Sequence, residues 1–429
     1  QRTLERFKQA KTFGSLIDVP HDDCEELKKL FVTLRELDSS GDSMQKSAAS
    51  QLLPYVHQAV LLAQKYEAVV ANPPYMGSKY QSPDVKKELK ARFSGYEKDL
   101  FSAFIIRNLQ LAKDHGQLGF MTPFVWMFIS SYEQLRSKLI DDEIISTLIQ
   151  LEYSGFDGAT VPICTFTLTK GHVSGYTGSY IRLSDFRGAA NQGPKTLEAI
   201  ANPECGWFYE AKPDDFKKIP GSPIAYWLSN LILNKFVGSS LLGDLADLKQ
   251  GMSTTDSDKF VRSWSEVDIR KVGFGCNSAI EGNTNGAIWF PFNKGGKYRK
   301  WFGNNDQIVR YENNGTDLLK LVSEKYPNIS DPEFVIKNRK RYFRESVTYS
   351  AISSSKFGVR LMPRGCIFSI AGPVIQSEEV DNAIILSLLL SPVSQIIVSA
   401  LSPTLNFQAV DLEKIPVDNS FLKKGSNHE

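Results

Sequence analysis

The stretch YEAVVANPPY, residues 66–75, restricts what this chain can fold into more than any other. The short run YEAVVA, small and β-branched from Ala68 to Ala71, has the pattern of a strand buried on both faces in a parallel sheet. Two consecutive prolines follow Asn72. Pro73 and Pro74 fix their backbone torsions and lack N–H donors, so the chain beyond Ala71 cannot pair as a further strand. What remains at the strand end is a pair of acceptors, the side-chain carbonyl of Asn72 and the backbone carbonyl of Pro73, with the Tyr75 ring beside them. In a doubly wound sheet, ligands bind at this carboxyl end of the strands.

Two acceptors and a ring suit an NH2 group carried on an aromatic ring. Such an amine is a poor nucleophile because its lone pair is spread into the ring. Accepting both of its hydrogens draws the nitrogen toward a pyramidal form and localises the pair, which stabilises a transition state without a strong base. A nucleobase treated in this way must leave its duplex, and Tyr75 would hold it by stacking. The plain alternative is a rigid turn after a strand.

The flanking pattern is α/β. Residues 1–66 are mostly helical, with apolar residues at helical spacing in CEELKKLFVTLREL and AASQLLPYVHQAVLLAQKY on either side of the polar turn DSSGDS. A helix is expected over 99–116, with Asp99 as its cap and Gly116 as its stop, then a strand at 117–122 and a helix around SSYEQLRSKLIDDE. Strands at 144–151 and 161–170 are joined by the loop EYSGFDGAT. This order is the second half of a doubly wound sheet. The strand and glycine-rich turn that open such a sheet and receive a nucleotide-like cofactor are not found; VGFGCN, at 272–277, is the nearest match, and no long helix follows it.

With 429 residues the chain is long enough for two or three domains. Residues 171–240, rich in Gly, Pro and aromatic residues, read as a linker packing across the first domain. Residues 241–418, with short strands, Gly and Asn turns and basic clusters, read as an α+β domain, and 419–429 as a tail. The net charge of +2 is uninformative, but NKGGKYRK (293–300) and KNRKRYFR (337–344) carry four and five basic residues in eight, interleaved with Tyr or Phe. Each suits a nucleic-acid surface or, equally, a solvated basic face. The segment KQGMSTTDSDKF gathers Lys249, Gln250, Ser253, Thr254, Thr255 and Lys259 around a glycine turn. It is either a DNA-reading loop or a polar hairpin.

Five scattered cysteines without a C-x-x-C, and five scattered histidines, point to a reduced, cytoplasmic protein that holds no metal. The first residues lack a signal-peptide pattern. NAIILSLLLSPVSQIIVSAL, 382–401, approaches the length of a membrane span. Pro392, Gln395 and its serines mark it instead as a buried helix, a break at Ser391-Pro392 and a second short helix, with no membrane role.

VVANPPYMG, DLFSAFIIRNLQLAKDHGQLGFMTPFVWM and LIQLEYSGFDGATVPICTFTL resemble the catalytic segments of adenine-specific DNA methyltransferases acting on N6, in particular the PglX-type enzymes of BREX phage-resistance systems. The resemblance continues through FPFNKGGKYRKW, SAISSSKFGVR and SPTLNFQAVDLEKIPV, so it covers most of the chain from residue 67 onward. It implies the C-terminal half of a Rossmann-like methyltransferase sheet, residues 67–170, followed by an α+β target-recognition domain. It implies S-adenosylmethionine as cofactor, and double-stranded DNA and other BREX proteins as partners. Asn72 and Pro73 would bind and activate the target amine, Pro74 would complete the motif, and Tyr75 would stack on the flipped adenine, with Phe156 packing against the same base. Lys249, Gln250, Ser253, Thr254, Thr255 and Lys259 would face DNA, with Lys294, Lys297, Arg299, Lys300, Lys337, Arg339, Lys340, Arg341 and Arg344 facing its phosphates.

Within this family the cofactor motif precedes the catalytic one, and this chain shows nothing of the kind. Asn72 is the one cofactor contact expected here. The chain is therefore expected to be the C-terminal part of a larger enzyme and inactive alone. The alternative reading is a non-catalytic DNA-recognition or partner-docking module, whose basic cleft would also accept an acidic, DNA-mimicking inhibitor.

Overall fold

The computed structural model describes residues 2–153, 155, 161–353, 356–403 and 406–418. The chain forms two compact units, Gln1–Lys217 with Gly221–Trp227, and Lys218–Pro220 with Leu228–Glu429.

In the first unit the apolar runs become a six-stranded sheet: β1 (Tyr66–Ala71), β2 (Ala112–Pro123), β3 (Glu143–Gln150), β4 (Ile163–Lys170), β5 (Gly178–Arg182) and β6 (Phe208–Ala211), in the order β1-β2-β4-β3-β5-β6. β1 and β2 are parallel. β4 returns through the 151–162 connection and inserts antiparallel between β2 and β3. Leu118, Phe120, Leu148, Phe166 and Leu168 alternate into a core closed by Trp126, Leu135 and Leu139. Arg136, fully buried, donates to the carbonyls of Trp126, Ile129 and Gly221, which holds the 221–227 segment on this unit.

Helices Cys24–Ser40 and Ser43–Ala63 pack as a pair. Between them Asp42 and Gln45 form a reciprocal capping box, with bonds of 2.8 and 3.0 Å. Buried Arg107 ties this N-terminal segment to the core by donating to the carbonyls of Ser15 and Ile17.

Three expectations are corrected here. The helix that Asp99 caps is Leu100–Leu111 and stops short of Gly116, because the chain has already entered β2 at Ala112, with a bulge against β1 over 113–116. Gly116 serves that bulge: a Cβ there would lie 2.8 Å from the Lys113 carbonyl and 3.2 Å from that of Glu67. Strand β1 is an edge strand, not one buried on both faces, and Val70 is 85% exposed. The 171–240 stretch is not a linker, since it supplies β5 and β6 and the helix Ala189–Ala201. β5 and β6, of five and four residues, are too short to stand out by alternation.

The second unit is α+β. One sheet runs Ile367–Phe368, Trp289–Asn293, Gln307–Arg310, Val261–Ser263; the other runs Val359–Met362, Ser346–Tyr349, Val374–Gln376, Asp247–Lys249. The long apolar run is two helices, Asn382–Leu390 and Pro392–Leu401, bent by 74°. Each starts on a side-chain cap, Asp381 and Ser391 respectively. Among the described residues no single helix is long and apolar enough to cross a membrane.

Candidate functional site

Asn72 lies immediately after the last paired residue of β1, where Ala71 sits opposite Phe120 of parallel β2. Pro73 is buried and anchors the turn, while Asn72 and Pro74 are exposed. The Tyr75 ring, 39% exposed, stands edge-on to buried Phe101 at 6.4 Å between centroids. Its hydroxyl lies 3.0 Å from Asn72 Oδ1 and 3.1 Å from the Met121 carbonyl, and shares its single hydrogen between them. Asn72 and Tyr75 are thus joined by a hydrogen bond, and the Met121 carbonyl of β2 helps to orient the pair.

The chain beyond Tyr75 is held by Asp99. Its Oδ1 accepts the Met76 N–H at 2.8 Å while also capping the Leu100–Leu111 helix through the Phe101 N–H. The Leu100 N–H returns to the Met76 carbonyl at 3.2 Å, and the Ser78 N–H to that of Lys98 at 3.0 Å. Burial raises the Asp99 carboxyl above its ordinary range, against the pull of the backbone N–H groups of Met76, Phe101 and Leu100. Behind the strand ends, burial pushes the Cys164 thiol up to about 12, which makes it an inert core group. Sequence reasoning missed Asp99 as a support of the site; its capping role was legible, its bond to Met76 was not. Phe156 lies outside the described residues.

A methyl-donor cofactor has only part of a site here. Asn72 is exposed at the strand end, but the outer edge of β1 is unpaired and Val70 is open, so the described residues build no wall on that side.

The second unit brings together the segments expected to meet DNA. Lys294 Nζ reaches Ser257 Oγ at 3.2 Å, Asn338 Nδ2 donates to the Gln250 carbonyl at 2.8 Å, and the Ser253 N–H to the Val335 carbonyl at 3.0 Å. Gly251 makes the packing possible, because a Cβ there would fall 1.8 Å from the Phe368 carbonyl. Within this loop Lys259 is exposed, whereas Thr254 is buried and bonds Ser257. Thr255 adopts φ +61 and offers its carbonyl to Lys325.

The two basic runs differ. Arg339 is spent on Tyr311, the Asn314 carbonyl and Glu333; Arg341 pairs with Asp247, and Arg344 with Glu378 at 2.9 Å. Lys249 also faces Asp247, at 3.4 Å. The Arg339 and Arg341 contacts tie separate segments of this unit together, whereas the Arg344–Glu378 pair lies at the surface. By contrast Lys294, Lys297, Arg299 and Lys300 are exposed, and among the described residues none is in an ion pair. Lys340 is exposed and Lys337 half-buried.

Residues 9–156 match the family of Eco57I restriction-modification methylases. The chain is 37% identical over 423 residues to the adenine-specific methyltransferase BrxX of Escherichia coli O9:H4 (strain HS), covering 97% of this chain and 33% of that protein. It is 32% identical over 424 residues to the adenine-specific methyltransferase PglX of Lacticaseibacillus casei (strain Zhang), covering 96% of this chain and 35% of that protein. The chain thus spans about a third of the length of these relatives. Its fold is like that of the Type IIL restriction-modification enzyme MmeI, solved in complex with DNA, with a TM-score of 0.51 at 13% identity over 83% of this chain and 46% of that one. The expected fold class, a Rossmann-like α/β sheet followed by an α+β unit, is the one observed. Along nearly its whole length the chain is similar to the BrxX and PglX adenine-specific methyltransferases, and its first unit carries the Eco57I methylase match.

Proposed function

We propose that this chain carries the target-base and DNA-recognition parts of a site-specific DNA methyltransferase. The enzyme would move a methyl group from S-adenosylmethionine to the exocyclic N6 amine of adenine in double-stranded DNA, in bacterial phage defence of the BREX type. The observation that carries this reading is the exposed Asn72 at the carboxyl end of β1, with its amide oriented by Tyr75 and its backbone locked by buried Pro73. Homology to BrxX and PglX supports the choice of adenine.

The chemistry follows from the acceptors. Asn72 Oδ1 has two lone pairs, one facing the Tyr75 hydroxyl and one left for an amine hydrogen. The Pro73 carbonyl takes the other hydrogen. With both accepted, the nitrogen pair is localised where it must attack. S-adenosylmethionine supplies an electrophilic methyl group when bound. Asn72 is the residue proposed to lie where target and cofactor meet, and the open edge of β1 fits a cofactor half lying beyond this chain. Lys294, Lys297, Arg299 and Lys300 would neutralise phosphates.

The test is nucleoside mass spectrometry of duplex DNA incubated with the whole protein and S-adenosylmethionine. N6-methyladenine is expected. Methylated cytosine, or methyl transfer to protein glutamine in place of DNA, would overturn the reading.

A further inference from the structure

A buried guanidinium needs its donors met and its charge balanced, or the folded state carries the desolvation cost alone. Arg107 and Arg136 satisfy this through main-chain carbonyls, and Arg107 also lies 3.6 Å from Asp18. Arg360, in the second unit, does not. It is 0% exposed on the strand Val359–Met362. One terminal nitrogen reaches Ser350 Oγ at 3.2 Å, the other reaches the Gly358 carbonyl at a long 3.4 Å, and Nε has no partner among the described residues. Burial pulls its pKa down to about 10, and the like charge of Arg299 pulls in the same direction.

The segment stitched to Arg360 carries the unpaired cations. Ser350 Oγ donates to the Gly296 carbonyl at 2.9 Å. The Trp301 N–H bonds the Val359 carbonyl at 3.1 Å, and the Leu361 N–H bonds the Trp301 carbonyl at 2.8 Å, so the loop is fixed on both sides of Arg360. Trp301 and Phe302 are 57% and 60% exposed. Trp301 is held at φ +68, a conformation that costs a bulky residue free energy and that recurs at functional sites. Two large rings kept in water, beside exposed Lys297, Arg299 and Lys300 and over a buried cation, form a surface that lacks only an anion and a flat apolar group.

We propose that the Lys297–Phe302 loop, with Arg360 beneath it, is a nucleotide subsite: Arg299 takes a backbone phosphate, Arg360 supplies buried positive charge below it, and Trp301 and Phe302 stack on an unstacked base next to that phosphate. This rests on the reading of the second unit as DNA-binding. A charge in a low-dielectric interior acts more strongly on an anion than one in water, so the phosphate recovers part of what burying Arg360 costs. Ring stacking then adds a contribution that is tolerant of base identity.

The test uses the 429-residue chain, with inorganic phosphate and labelled DNA as probes. Phosphate should raise the melting temperature of the wild type beyond the effect of sodium chloride at equal ionic strength. Arg360→Met should melt higher than wild type without phosphate and lose the phosphate response. Arg299→Gln, at an exposed position, should fold normally and make the salt slope of DNA binding shallower by about one. Trp301→Ala should weaken binding to single-stranded oligonucleotide about tenfold. If the wild type binds DNA but Arg299→Gln and Arg360→Met keep its affinity and slope, the subsite is wrong and the DNA reading stands. If the wild type binds no DNA, the DNA reading fails, and a phosphate response abolished by Arg360→Met still supports the anion site.

Discussion

At the scale of single residues, the Tyr75 hydroxyl is the detail that the tetrapeptide alone does not reveal. A ring is legible in NPPY as a stacking surface, but the bond from that ring back to Asn72 Oδ1, shared with the Met121 carbonyl, depends on where β2 passes. Tyr75→Phe keeps the ring and removes the bond. The loss of one neutral hydrogen bond, about 1 kcal/mol, should lower the methylation kcat about fivefold with the KM for DNA unchanged. Tyr75→Ala should lower kcat/KM further, because stacking is lost as well. Steady-state kinetics on the two variants checks both. The ion pairs of Arg339, Arg341 and Arg344 were equally hidden. Charge runs are visible in sequence, but partners such as Asp247, 94 residues away from Arg341, are not.

At the scale of elements, Asp99 couples the catalytic loop to a helix. The expected cap at Asp99 is present because an N-cap is a local signal; the helix end was misplaced because the bulge of β2 over 113–116 depends on its pairing with β1. Since burial raises the folded-state pKa of Asp99, ionising it costs the folded state more than the unfolded one. Its contribution to stability is therefore fully present below the ordinary carboxylate pKa, about 3.9, and is lost as pH rises through the raised folded value. Asp99→Asn keeps an acceptor for the Met76 N–H and cannot ionise. The variant should melt above wild type at pH 8, with the gap closing toward pH 4. Thermal melts across that range measure it, and a gap that widens on acidification would contradict the account. The broken helix at Ser391 was legible for the same local reason, a Ser-Pro pair that ends one helix and caps the next. β5 and β6 were not, because strands of five and four residues give too little alternation to read.

At the scale of the whole molecule, the two basic runs that look alike in sequence have different uses. If Lys294, Lys297, Arg299 and Lys300 face phosphates and the internally paired arginines do not, log affinity for duplex DNA should fall with log salt at a slope of about −4. Lys300→Ala should make that slope shallower by about one. Arg339→Ala should leave it unchanged, since that guanidinium is spent on Tyr311, the Asn314 carbonyl and Glu333. A salt titration by fluorescence anisotropy separates the cases. The measurement that bears most directly on the central claim is methyl transfer to duplex DNA by the whole protein carrying Asn72→Ala, with duplex affinity determined on the same sample. The rate is expected to fall about a hundredfold or more, as for loss of a preorganised transition-state contact, with affinity within about threefold of wild type. Unchanged methylation, or equal loss of methylation and DNA affinity, would make the strand end a structural turn and contradict the account.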